Sequence, residues 1–549
     1  MKGVSRNLYG ILFVVVTALL LVAPGLSAQE ELAENQVLDV GVAASDLNTL
    51  DPHLAVGTQD RGAVDMVFNG LVRFKPGDMD PEKIEPDLAK SWEVSSDGLE
   101  WTFHLREGVM FHPFPGQPDG YEMTSEDVVY SIKRAANPET SAYSGSYDNV
   151  ESVEAVDDYT VKLTLDKPVP SLLGLVSDYS GGFVVSKKAV ESMGEDFTTH
   201  PVGTGPFAYE NYVPGQKTVF TRNENYFRGE PVLQEVVWRY MPDISSRLSG
   251  LRTGELDLIE GLRKQAWIEQ VENYKGVEPV VFGPGETVTL HFNLTREPLK
   301  NIKVRKAIVY ALDRATINNF YGEAITTPLY SPIPANYLGG LTKEEVMAED
   351  LAYEQDLERA EELLSEAGYE DGFELDVVIT ERESYKKTLV VAQEMLKKVG
   401  IKINIKQIDH SAYHSQIRDD VNPLVIYVCA RFPTANSILT QFYHSASVVT
   451  KPTAITNFSH YGDVDADGNG TIDNVDKLIE IARTADDPDF QKALWGETQK
   501  EILSDVAAYP ITTLGFSFAK KPGLEWGYDL NSTLALTPQI KWNTKLLAE

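Results

Sequence analysis

Residues 373 to 409 read as strand, helix and strand: FELDVVIT, then KKTLVVAQEMLKKVG, then IKINIKQID, with Gly400 as the helix stop. Two strands joined in this way lie parallel, need a right-handed crossover, and need a sheet to join. The unit commits the chain to layered α/β architecture. The same alternation of patterns runs along the rest of the chain. QVLDVGVAA (36–44) alternates apolar and polar residues and stops at SDLNTLDPH. LEWTFHLREGVMFH (99–112) alternates again, as a hairpin strand does, and YTVKLTLDKPVP (159–170) is a strand closed by prolines. TSEDVVYSIKRA opens with a capping box, in which Thr124 or Ser125 is followed by acids, and runs into an amphipathic helix. Helical patterns follow at 301–320, at 356–369, at about 475–484 and in QKALWGETQKEILSD. Internal repeats and low-complexity tracts are absent from the sequence.

With 549 residues, 42% of them hydrophobic, the chain can bury a large core and is too long for one ordinary domain. Its 82 acidic residues outnumber 49 basic ones, for a net charge of -33. A surface so acidic excludes nucleic acid and anionic lipid as partners, because both need a basic patch. Lys2 and Arg6 precede an apolar run, YGILFVVVTALLLVA, which Pro24 and Gly25 break before Leu26-Ser27-Ala28. The run is short for a membrane span, so residues 1–28 are expected to be a cleaved signal peptide. Cys429 is the single cysteine. It allows no intramolecular disulfide and no cysteine-based zinc site, and no lipidation cysteine follows the apolar run. A free periplasmic or otherwise exported, monomeric protein is the expectation.

Catalytic signatures are missing. There is no G-x-S-x-G elbow and no H-E-x-x-H. Gly203-Thr204-Gly205-Pro206 lacks the lysine of a phosphate loop, and Pro206 removes a donor amide, so the stretch reads as a tight turn. His410 and His414 stand four apart, but a third metal ligand for them is not evident. A binding protein is expected rather than an enzyme.

Four blocks, in order, carry a resemblance. They are IEPDLAKSWEVSSDGLEWTFHLREGVMFH with SEDVVYSIKR, PVGTGPFAYENYVPGQKTVFTRNENYF, LRTGELDLIEGL, and HFNLTREPLKNIKVRKAIVYALDRATI. Together they resemble the extracellular solute-binding proteins of family 5, the peptide-type receptors of ABC importers. The resemblance implies the two-lobed periplasmic-binding-protein fold, type II-like, with an extra subdomain in lobe I. Lobe I would comprise 37–285 and a return at 515–549, with the subdomain at about 85–200; lobe II would comprise 290–512. It implies capture of a small solute by hinge closure and delivery to importer permease subunits. A partner of a membrane signalling receptor, or an oligosaccharide binder, would use the same lobes.

ARFPTANSIL (430–439) departs from the peptide-binding members, whose matching stretch resembles A-D-Y-P-D-P-D-N-F-L. In them the first Asp pairs with the peptide's α-amino group; here Arg431 occupies its place. Two like charges facing each other out of water cost several kcal/mol, about what an unpaired buried charge costs. Arginine instead presents a planar fork suited to a carboxylate or phosphate. The expected solute is therefore anionic or N-blocked, an opine-like conjugate or a sugar derivative. Phe432 and Thr434 belong to the same stretch. Asn48 and Thr49, Tyr143 and Tyr147 in SAYSGSYDN, and Tyr413 complete the expected ligand-binding set.

DADGNGTIDNVD (465–476) lies in a connection longer than the family's turn requires, and lengthening a surface loop is cheap. It resembles the calcium loop of EF-hands and dockerins. Asp465, Asp467 and Asn469 stand at places 1, 3 and 5, Gly470 at 6, Thr471 at 7, Asp473 at 9 and Asp476 at 12. Ile472 at place 8 is expected to pin the loop to the core. Oxygen ligands without Cys or His favour Ca²⁺ in a structural role, with no organic cofactor.

Overall fold

The computed structural model describes residues 31–169, 172–177, 181–430, 433–451, 456–485 and 487–548. The expected signal peptide, Arg431 and Phe432 lie outside the described residues.

The unit that commits the chain to α/β architecture forms as read. Strands Phe373–Thr380 and Ile401–Ile408 pair in parallel, residue for residue from Phe373↔Ile401 to Thr380↔Ile408. Helix Glu383–Leu396 crosses between them, and Gly400 turns the chain with φ +84°. The capping box of helix Ser125–Ala136 is present in full, Thr124 bonding the Asp127 backbone and the Asp127 side chain bonding back. The helical pattern of 301–320 splits into Ile302–Ala311 and Arg314–Tyr321, because the Asp313 carboxylate caps the second helix at Ala315 and Thr316.

The main sheet, among the described residues, holds nine strands. Its order is Leu424–Cys429, Glu278–Phe292, Ala508–Lys520, Leu258–Glu260, Val37–Val42, Glu235–Tyr240, Lys217–Arg222 and Phe207–Val213, with Thr326–Pro328 also on Ala508–Lys520. Val37–Val42 lies parallel to both its neighbours, and Leu38, Val40 and Val42, which share one face of the strand, are fully buried in the core. Four antiparallel strands between Ala89 and Leu165 make a second sheet inside the first half of the chain.

Two long strands carry the molecule from one half to the other. Glu278–Phe282 pairs with Phe516–Lys520, and Glu286–His291 pairs with Ala508–Leu514. Between the two stretches the register shifts, at Gly283-Pro284-Gly285 opposite Gly515. Apolar side chains gather accordingly. One core contains Val40, Phe103, Leu163, Phe220 and Trp238; the other contains Leu290, Ile308, Leu389, Ile403, Ile426 and Trp495. The result is the two-lobed α/β fold that the sequence implies.

Candidate ligand cleft and acidic loop

In open α/β sheets ligands bind outside the carboxyl ends of the strands. Strand Val37–Val42 ends at Ala43, whose N–H donates to Glu260 at 2.9 Å; Gln59 donates to the same carboxylate at 3.0 Å. Strand Leu258–Glu260 ends at Gly261, and the guanidinium of Arg263 then reaches Glu286 in the other half while lying 4.3 Å over Phe516. In that half Phe373–Thr380 ends at Glu381-Arg382, Ile401–Ile408 at Asp409-His410, and Leu424–Cys429 at Ala430. These ends sense one another. Burial holds the His410 imidazole below its ordinary value, the Arg382 charge adds to the effect, and Glu381, Asp409 and Glu286 oppose it. Arg382 is exposed, and no described carboxylate lies within ion-pair distance of it. Sequence reasoning missed Arg263, Glu286 and Arg382. A signal was available for two of them, since Arg263 and Arg382 each follow a strand at the edge where the cleft must lie, whereas Glu286 lies inside strand Glu278–Phe292.

The structure places the expected ligand residues unevenly. Asn48 is exposed at the strand edge, with its amide 3.3 Å from Asp60. Thr49 is a correction: it is buried, and its hydroxyl accepts from Asp51 N–H at 3.1 Å, closing the turn. Tyr143 donates its hydroxyl to the Ala55 carbonyl and lines a small cavity with Arg61, Asp65 and Phe183. Tyr147 is a second correction, being buried with its hydroxyl on Leu175 O at 3.1 Å. Tyr413 is a third: its ring is fully buried and its hydroxyl donates to Ile426 O at 2.6 Å. Thr434 is buried and spends its hydroxyl capping helix Ala435–Tyr443. His410 and His414 meet edge to face with ring centroids 4.5 Å apart, and among the described residues no Cys, Asp or Glu completes a metal set with them.

The acidic loop has its own geometry. Asp465, Asp467 and Asp473 bring carboxylate oxygens within 4.8 Å of one another. Asp465 accepts from the N–H groups of Gly468, Asn469 and Gly470, and Asp473 accepts from Ala466 and Asp467. Asn469 accepts from the Thr471 backbone at 2.9 Å. Asp476 is a correction. Its carboxylate turns away to Ser445, at 2.8 Å from that residue's N–H, because it sits in the first turn of helix Asp476–Thr484. Ile472 is another, being 62% exposed; Ala466, fully buried, does the pinning. The buried Arg305 holds the loop from beneath, donating to Ala466 O and to Asp505 O. Burial pushes the nearby Asp505 carboxyl up to about 6; a hydrogen bond from Tyr461 opposes this, and the charges of Asp473 and Asp467 add to it.

Two lobes hung on a pair of crossing strands, with strand ends facing each other across the junction, define a solute receptor of the binding-protein class. The chain belongs to the bacterial extracellular solute-binding proteins, family 5, whose middle region matches residues 83–449. It is 30% identical to the dipeptide-binding protein of Escherichia coli K12, over 67% of this chain and 71% of that one. It is 33% identical to heme-binding protein A of Haemophilus influenzae, over 58% of this chain; the match spans only 60% of that relative's length. Among solved structures it is similar to MoaA of A. tumefaciens R10, in complex with mannopinic acid. The two are 38% identical with TM-score 0.79, covering 94% of this chain and all of the other. DppA of Helicobacter pylori, in complex with the peptide STSA, is 26% identical with TM-score 0.75 over 93% of this chain.

Proposed function

We propose that this protein captures a small carboxylate-bearing solute between its lobes and delivers it to an ABC importer's permease subunits, without catalysis. Lobe I comprises 37–285 and 515–549, with the subdomain of about 85–200; lobe II comprises 290–512. The protein acts as an exported monomer after cleavage of residues 1–28. The observation that carries the reading is Arg382. It is an exposed guanidinium at a strand's carboxyl end, beside His410, with no described carboxylate within ion-pair distance in a chain of 82 acids. Arg431, in the place of the peptide receptors' Asp, supplies a second cation from the sequence. Both favour a solute with an acid group and without a free α-amine at that end. Mannopinic acid, the ligand of the 38% identical MoaA, is the natural probe.

Titration calorimetry tests the reading with mannopinic acid and with the dipeptide Met-Leu. The acid should bind and the dipeptide should bind more weakly or not at all. A hydrogen bond to a charged group contributes about 1.5–3 kcal/mol, so Arg382→Ala should weaken the acid roughly 10- to 150-fold. Equal affinity of wild type and Arg382→Ala for the acid would remove the basis of the reading.

The loop 465–473 is proposed to hold a structural Ca²⁺ through Asp465, Asp467 and Asp473, with Asn469 and the Thr471 carbonyl as further oxygen donors. The support is the twelve-residue pattern together with three carboxylates directed at one point. Asp476 leaves the set.

A further inference from the structure

Among the described residues two ion pairs join the two halves. Arg263–Glu286 lies beside the strand crossing. The other joins Glu82, on the short turn Pro81–Lys83, to Lys492, on helix Pro488–Ser504, with 3.6 Å between Nζ and the carboxylate. Under this second pair lies a cavity of about 350 Å³, walled by Asp80 and Glu82 on one side and by Asn336, Gly340, Glu345 and Lys492 on the other. That volume falls within the range of small-molecule sites, about 300–1,000 Å³.

The lobe II wall is built, not incidental. Gly339 has φ +83°, and a Cβ there would meet the Trp495 ring at 2.5 Å and the Ala435 side chain at 2.8 Å. At Gly340 a Cβ would collide with the Pro334 carbonyl. Neither position tolerates a side chain, so the backbone itself forms the surface. Gln499 donates to Gly339 O at 2.8 Å, and Leu338 pairs with Thr434. The wall is thereby tied to the segment that follows strand Leu424–Cys429, the strand end already placed in the cleft.

We propose that this cavity is an outer chamber of the solute site and that the Glu82–Lys492 pair is its gate. The inference rests on the solute-receptor reading above. The chamber suits a hydroxyl-bearing end of the solute. Its carboxylates are acceptors: Asp80 takes the Glu82 N–H at 3.0 Å and Glu345 takes Thr342 at 2.8 Å, and each oxygen has further lone pairs for O–H donors. The gate works because its two charges belong to different lobes. The pair forms when the lobes meet and is lost when they part, so it weights the closed state alone. An exposed pair of this kind contributes modestly, and the expected change in the closed-to-open ratio is about two- to fivefold.

The test is charge reversal read by single-molecule energy transfer between dyes on Glu126→Cys and Glu358→Cys, one on each lobe. Lys492→Glu should lower the closed-to-open ratio two- to fivefold, and Glu82→Lys should do the same. The double reversal should restore it. Single variants that match the wild type, or a double variant that does not recover, overturn the gate. For the chamber, Asn336→Trp should weaken mannopinic acid at least tenfold with an unchanged closed fraction in the ligand-free protein; unchanged affinity overturns it. Mannopinic acid that fails to bind the wild type overturns both the proposed solute and the chamber, while the gate is still decided by the dye distances.

Discussion

His291 sits in strand Glu278–Phe292, 2% exposed, stacked on Phe442 at 5.5 Å and edge-on to Phe458. Burial pushes its imidazole down to about 3. His112 is pushed to about 4 by burial, against its bond to Gly205 O; His53 falls to about 4 through burial and the neighbouring Arg134 charge. All three are neutral in the fold. The unfolded chain protonates them near 6.5, whereas the folded chain does so only at 3 to 4. Their stabilisation is therefore complete above pH 6.5 and lost as pH falls toward 4. Each histidine contributes about 3 kcal/mol to that loss by linkage. Denaturant titrations from pH 7 to 4.5 should show stability falling by several kcal/mol, and His291→Phe should flatten the fall by one histidine's share. Equal slopes for variant and wild type would contradict the assignment. Tyr413 shows why single residues were the least legible part of the site. Its match to a cleft aromatic was positional, yet Tyr413 and Ile417 stand four apart on helix His410–Arg418 and both face the core. Tyr413→Phe should cost about 1 kcal/mol of stability, by orphaning Ile426 O, and leave solute affinity unchanged in calorimetry.

At the scale of elements the sequence is informative wherever a local rule decides. The capping box at Thr124, the stop at Gly400 and the βαβ unit all follow from residues within a few turns of one another. The clustering of Asp465, Asp467 and Asp473 follows in the same way from a contiguous pattern. Its two errors come from what surrounds it. Asp476 is recruited by Ser445 of a neighbouring turn, and Ile472 has no second loop to pack against, so it stays exposed while Ala466 is buried over Arg305. With no ion, Asp465, Asp467 and Asp473 repel one another at close range. Calcium bound only by the folded chain should raise stability by about 2.7 kcal/mol at a free concentration a hundred times Kd. The melting temperature should rise in excess Ca²⁺ relative to chelator, and Asp465→Ala should abolish the difference. Identical melting curves in Ca²⁺ and chelator would exclude a structural ion.

The whole molecule depends on a pairing that no local pattern announces. Glu278–Phe292 and Ala508–Lys520 come from distant parts of the chain, yet they pair along both lobes and make the lobes one body. Family resemblance supplied the lobes; the residues on which they would turn became visible only in the register. Where the pairing slips, between Phe282 and Glu286, the ladder is interrupted by Gly283-Pro284-Gly285 on one strand and Gly515 on the other. Proline withholds a donor, and Gly285 takes φ +64°, with a Cβ there colliding with the Leu514 carbonyl. Two crossing strands with fewer ladder bonds and three glycines at the slip bend more easily there than within either lobe. Gly283 and Gly515 are nonetheless held, Gly283 N–H on Asn531 O of lobe I and Gly515 N–H on Ile325 O of lobe II, so the crossing is anchored to both lobes on either side of the slip. Such anchoring confines the bend to the few residues between. Gly285→Ala should force the crossing apart, because the left-handed backbone costs an alanine about 1 kcal/mol before the collision with Leu514 is counted. Its melting temperature should fall, and its closed-to-open ratio, read by the dye pair across the lobes, should change with it. A variant that melts earlier but closes like the wild type would place the bend outside this crossing.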